Sequence, residues 1–227
     1  MYTFALIHGG GDVGWYWHRL AEELRSRGHE TVAPDLPCDD DSASLDDYAN
    51  VVIEAIGDRK NLVVVGQSYG GFTAALVAAR LPVDVLVFVA GMIPAPGEAP
   101  SDWWGNTGYG QAVKEQAALD GGQTGHDDPF ISFYNGVPRE LAEEAVRRTE
   151  GRGESATVWS EPWPLDKLPD VPTKFILGTE DHFFPAPFFR RLAKERLGIV
   201  PDEIAGGHGV ALSHPKELAD LLTGYTT

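Results

Sequence analysis

Gly66-Gln67-Ser68-Tyr69-Gly70 is a G-x-S-x-G pentapeptide, and its neighbours give it a setting. The β-branched run Leu62–Val65 precedes it and the small-residue helical pattern of Thr73–Arg80 follows it. A turn this tight between strand and helix holds the serine in a strained conformation with Oγ clear of the sheet, and leaves room only for glycine on either side. The chemistry on offer is nucleophilic. A serine hydroxyl attacks at neutral pH only with a base beside it and a third group to orient that base.

Residues just beyond the carboxyl ends of parallel strands converge on one edge of a sheet however distant they are in sequence. The acids in such positions are Asp35, Glu180 and Asp181. Asp35 precedes the serine, against the serine–acid–histidine order that accompanies this elbow. Asp181, in Gly178-Thr179-Glu180-Asp181-His182 after a strand at 174–178, is the expected acid, with Glu180 the alternative. His208 is the expected base, because Gly206, Gly207 and Gly209 let its loop approach the sheet edge. His182 either lines the pocket or has a plain loop role; His214 reads as a first-turn residue beside Pro215, and His18, His29 and His126 as surface or packing residues. Two N–H donors for a tetrahedral oxyanion are expected from Tyr69, directly after the serine, and from Gly10, with Gly11 the alternative. His8 is expected to hold that glycine loop by hydrogen bonds.

The elements that must position these residues follow from the hydrophobic pattern. Strands are expected at 4–7, 29–33, 62–65, 83–90, 173–178 and 199–204, and helices at 16–27, from Ser44, and at 69–80, 186–197 and 214–223. Strand and helix in alternation imply a mostly parallel sheet with helices on both faces. Between residues 92 and 165 the rhythm breaks into proline, glycine and tryptophan, with helical patterns near 110–119 and 138–149. That stretch is expected to be a cap inserted over the carboxyl edge of a single domain spanning 1–227.

Bulk properties narrow the partners. With 18 Lys and Arg against 34 Asp and Glu, the net charge is −16, which repels nucleic acid and anionic membrane. Cys38 is the single cysteine, so neither an intrachain disulfide nor a cysteine metal cluster is expected. The N-terminal run shows no basic leader and no stretch is long enough to span a membrane, so a cytoplasmic protein is expected.

Phe4-Ala5-Leu6-Ile7-His8-Gly9 through Trp15-Tyr16-Trp17, then His29 to Leu36, the elbow, and the segments around Asp181 and His208 together resemble the α/β-hydrolase superfamily. The resemblance is nearest to its branch of small plant esterases and hydroxynitrile lyases. It implies an α/β-hydrolase fold of about six strands with a small helical cap. It also implies a cofactor-free Ser68–His208–Asp181 triad, with Gly10 and Tyr69 as oxyanion donors and no metal. In the lyases of this branch a lysine follows the triad histidine; here Gly209 stands there, which disfavours lyase chemistry. The expected activity is therefore a carboxylesterase acting on small apolar or aromatic esters, as a monomer or homodimer. Thioesterase, amidase, lyase and ligand-binding roles are the alternatives. Trp103, Trp104, Phe130 and Phe183 are expected in the pocket, with Tyr109, Phe133, Tyr134, Trp159 and Phe184 as further aromatic candidates, about half of them serving only to pack the cap.

Overall fold

Six short strands, the central four built on apolar and β-branched runs, form the sheet of this protein, whose computed structural model describes residues 1–226. They are β1 (Thr3–Ile7), β2 (Glu30–Val32), β3 (Leu62–Gln67), β4 (Val83–Val89), β5 (Thr173–Gly178) and β6 (Asp202–Ile204). Among the described residues these six make one sheet in the order β2-β1-β3-β4-β5-β6, with every neighbouring pair parallel. The strands of such a sheet are covered on both faces and so read as near-continuous hydrophobic runs. β1 and β3 are buried at every position.

The pleat sends alternate side chains to two separate cores. Ala5, Ile7, Val64, Leu86, Phe88, Phe175 and Leu177 point to one face. There they meet α2 (Leu45–Ile56), α3 (Gly70–Arg80) and α9 (Ala186–Leu197). Phe4, Leu6, Val63, Val65, Val87, Val89 and Ile176 point to the other face, against α1 (His18–Ser26) and α11 (Pro215–Gly224). Local signals set the helix ends. Ser44 caps α2 by accepting from the Asp47 N–H while the Asp47 carboxylate accepts from the Ser44 N–H, a reciprocal capping box. Gly198, in the left-handed region, closes α9.

Between β4 and β5 the chain forms α4 (Pro100–Asn106), α5 (Tyr109–Asp120), α6 (Pro129–Ser132), α7 (Arg139–Thr149) and α8 (Ala156–Ser160). These helices serve both cores. Trp103 and Val158 join the first, Tyr134, Ala142 and Ala145 the second. An ion pair between Glu98 and Arg196, both largely buried, fastens the start of this segment to α9.

Several elements differ from the pattern-based expectation. Residues 16–27 begin as a 3-10 turn (Gly14–Trp17) before α1 starts at His18. The last strand is only Asp202–Ile204, since Pro201 has no N–H to give to a ladder. α4 lies where irregular chain is expected, and its start was signalled by Pro100 at the first helical position. A short helix, α10 (Val210–Ser213), also follows the His208 loop.

Candidate active site

The elbow is built by close approach. Ser68 directly follows β3 with φ of +50°, in the left-handed region that a side-chain-bearing residue rarely occupies. A Cβ on Gly70 would stand 2.3 Å from the His8 carbonyl oxygen, and one on Gly66 would stand 2.6 Å from Ala74 Cβ. Both positions therefore take only glycine, and α3 can start directly under the sheet edge. The Ser68 carbonyl accepts from the N–H groups of Gly71 (3.1 Å) and Met92 (2.8 Å), which ties the turn to the chain leaving β4.

Asp181 and His208 meet beyond the ends of β5 and β6. The His208 Nδ1–H donates to Asp181 Oδ2 at 2.9 Å, and both side chains are buried. Asp181 Oδ1 is held by the N–H groups of Phe183 (2.7 Å) and Phe184 (2.8 Å). Its two oxygens are thus divided between the loop and the ring, which fixes the carboxylate and, through it, the imidazole tautomer. Glu180, by contrast, is exposed, and its backbone carbonyl accepts from Asn135. With Nδ1 carrying the proton, Nε2 of His208 is an acceptor. It accepts from the Gln67 carboxamide at 2.9 Å. Among the hydrogen bonds of the described residues there is none between Ser68 Oγ and His208. Gln67, the residue before the serine, was not singled out in the sequence. Its place in the pentapeptide was the available signal, but the direction of its side chain depends on the packing of the turn.

The glycine loop after β1 lies against the elbow. His8 is fully buried, with Nδ1–H donating to the Gly9 carbonyl (2.8 Å) and Nε2 accepting from the Leu36 N–H (3.0 Å). Burial lowers its pKa to about 4, so the ring stays neutral and keeps both bonds. A Cβ on Gly10 would stand 3.5 Å from Tyr69 Cβ, which places the two expected oxyanion donors side by side. Among the described residues neither the Gly10 N–H nor the Tyr69 N–H is given to a protein acceptor. Asp12, at the end of this loop, is pushed up to about 6 by burial, against the N–H of Val13 that its carboxylate accepts.

Three aromatic rings surround His208: Phe133 at 4.6 Å between centroids, Phe183 at 5.1 Å and Phe184 at 5.3 Å. Of the four expected pocket residues, Phe183 is brought to the histidine. Trp104 stacks on Phe184 one layer out. Trp103 is fully buried, packs on Phe184 and Phe188, and donates its indole N–H to the Ile93 carbonyl. Phe130 sits under the Arg139 guanidinium and beside Tyr134. Of the other histidines, His182 bonds the Ile131 carbonyl and His214 bonds Ser213 Oγ. A further acid, Glu154, reaches the Gly11 N–H from the segment before α8. Nothing in the sequence marked it.

A parallel six-stranded sheet with a left-handed serine between β3 and α3 defines an α/β hydrolase. The chain belongs to the Alpha/beta hydrolase family, whose model matches residues 4–221. It is 33% identical to "Esterase PIR7B" of Oryza sativa subsp. japonica, over 96% of this chain and 93% of that one. It is 24% identical to "Alpha-hydroxynitrile lyase" of Arabidopsis thaliana, over 99% and 96%. The crystal structure of polyneuridine aldehyde esterase superposes with a TM-score of 0.80 at 21% identity, covering 100% of both chains. The expected resemblance to the plant esterase and hydroxynitrile lyase branch is thus met. No helix among the described residues is long and apolar enough to cross a membrane.

Proposed function

We propose that this hydrolase is a serine carboxylesterase acting on small esters through Ser68, His208 and Asp181. The observation that carries the reading is the bond from His208 Nδ1–H to Asp181 Oδ2, which leaves Nε2 as a base at the edge where Ser68 stands. Ser68 Oγ attacks the ester carbonyl as Nε2 takes its proton, and Asp181 stabilises the imidazolium. The N–H groups of Gly10 and Tyr69 receive the oxyanion, each worth a factor of about a hundred to a thousand. His208 then returns the proton to the departing alcohol, and water releases the acyl group by the same steps in reverse. For Ser68 to deliver its proton, its hydroxyl must replace the Gln67 carboxamide at Nε2.

Residues 92–165 act as the cap of this site. In support, Phe133 from this stretch faces His208 and Glu154 bonds the oxyanion loop. Phe133, Phe183 and Phe184 make the wall apolar and aromatic, which suits apolar or aromatic ester groups. Esterase names among the plant relatives point the same way. Gly209 after His208, in place of a lysine, speaks against lyase chemistry.

Hydrolysis of a series of short-chain p-nitrophenyl esters by the wild type and Ser68→Ala tests the reading. Loss of a triad serine costs about a millionfold in turnover. Equal rates in the two proteins would remove Ser68 from the mechanism.

A further inference from the structure

Asp181 and His208 stand on two loops that are bonded to each other step by step. The Thr179 N–H donates to the Ile204 carbonyl (2.8 Å), and the Glu180 N–H donates to the Gly206 carbonyl (3.0 Å). The next step along the pair is the bond from His208 Nδ1–H to Asp181 Oδ2. The register of the two loops therefore sets the geometry of that bond.

The chain from Gly125 to Val137, around α6, grips both loops. The Gly125 N–H donates to the His182 carbonyl (2.8 Å), and His182 Nδ1–H donates to the Ile131 carbonyl (2.9 Å). The Asn135 Nδ2–H donates to the Glu180 carbonyl (2.6 Å). The residues on both sides of Asp181 are thus tied to this one stretch. On the base loop, a Cβ on Gly207 would stand 2.4 Å from the Asn135 carbonyl oxygen and 2.5 Å from Asn135 Oδ1. A Cβ on Gly209 would stand 2.8 Å from Val137 Cγ2. The glycines flanking His208 are therefore required by the close approach of this stretch. Asn135 meets each loop one residue before its triad member, at Glu180 before Asp181 and at Gly207 before His208.

Stability does not account for the Asn135 amide. Its Oδ1 is buried without a hydrogen-bond partner, which is a net cost to the fold. The bond from its Nδ2 to the Glu180 carbonyl is solvent-exposed, so water can take the place of the amide there.

We propose that Asn135 is a positioning residue, which holds Glu180 against Gly207 so that Asp181 and His208 keep their hydrogen-bonding register. This rests on the serine-esterase reading above and adds to it a residue that acts through the acid–base pair. A misplacement of about 1 Å in such a pair costs about a hundredfold in rate, even when the change lies away from the chemistry.

Asn135→Leu keeps the bulk of the side chain and removes both polar atoms of the amide. On p-nitrophenyl butanoate its kcat is expected to fall by about ten- to a hundredfold with KM unchanged. Its thermal unfolding midpoint should not fall. Proton NMR gives a second readout that does not need turnover. The Nδ1–H shared by His208 and Asp181 resonates far downfield of the backbone amides and is assigned by its loss in His208→Gln. Saturation transfer from water should show this proton exchanging about tenfold faster in Asn135→Leu than in wild type. An unchanged exchange rate overturns the proposal whatever kcat does. An unchanged kcat, or a loss confined to KM, overturns it in an enzyme that hydrolyses the ester. If no ester is hydrolysed in a Ser68-dependent way, the esterase reading has failed, and the exchange rate alone decides whether Asn135 positions the pair.

Discussion

The carboxamide of Gln67 lies 2.9 Å from Nε2 of His208, on the ring nitrogen opposite the one that Asp181 holds. The acceptor that the proposed mechanism needs for the Ser68 proton is thus engaged by the neighbouring residue. A hydrogen bond of this kind contributes about 1 kcal/mol, or roughly a fivefold bias. Gln67→Met keeps the length of the side chain and removes the donor. It is expected to raise the rate of Ser68 labelling by a fluorophosphonate severalfold, read by time-resolved intact mass. An unchanged or lower rate would show that Gln67 does not compete for Nε2.

Asp181→Asn should lower turnover by about ten-thousandfold, because an amide cannot hold the Nδ1–H tautomer. Glu180→Gln, one residue away but exposed, should stay close to wild type. Steady-state kinetics on one p-nitrophenyl ester decides between them, and the reverse pattern would move the acid by one position.

His8 makes a prediction for stability against pH. Its folded pKa of about 4 lies below the 6.5 of a free histidine because the ring is buried. The unfolded chain therefore takes up the proton first as pH falls. The stabilising contribution is fully present above pH 6.5 and is lost as pH falls through about 4, amounting to about 3 kcal/mol across that window. His8→Gln is less stable than wild type at pH 7, and the gap should shrink by up to that amount at pH 4. Urea unfolding at both pH values measures it, and a constant gap would contradict the assignment.

Trp103 and Phe183 should separate structure from substrate contact. Trp103 is fully buried and Trp103→Ala should cost about 3–5 kcal/mol of unfolding free energy. Phe183, half-buried and 5.1 Å from the His208 ring, should act on KM for aromatic esters when changed to Ala, with a smaller stability loss. Thermal denaturation and KM for phenyl esters, taken together, check the pair.

What the sequence disclosed was the part governed by local rules. The elbow announces itself because glycines must flank a serine squeezed between strand and helix, and Asp181 and His208 lie where strand ends and chain order place them. The two-faced sheet follows from runs such as Leu62–Val65 that are apolar at every position. Contacts made across the fold were not legible. Gln67 could have turned to either side of the elbow, and Glu154 reaches Gly11 from 143 residues away. Trp103 carries the same residue type as a pocket wall, and only its packing on Phe184 and Phe188 assigns it to the core. α4 was hidden because its tryptophan- and glycine-containing run lacks an apolar stripe, although Pro100 marked its start.

In the proposed mechanism Ser68 carries the acyl group. Brief exposure to p-nitrophenyl acetate, acid quench and peptide mass spectrometry tests it most directly. One acetyl group is expected on the peptide containing Ser68, absent in Ser68→Ala, whose turnover falls about a millionfold. An acetyl group on another residue, or ester hydrolysis that persists in Ser68→Ala, would contradict it.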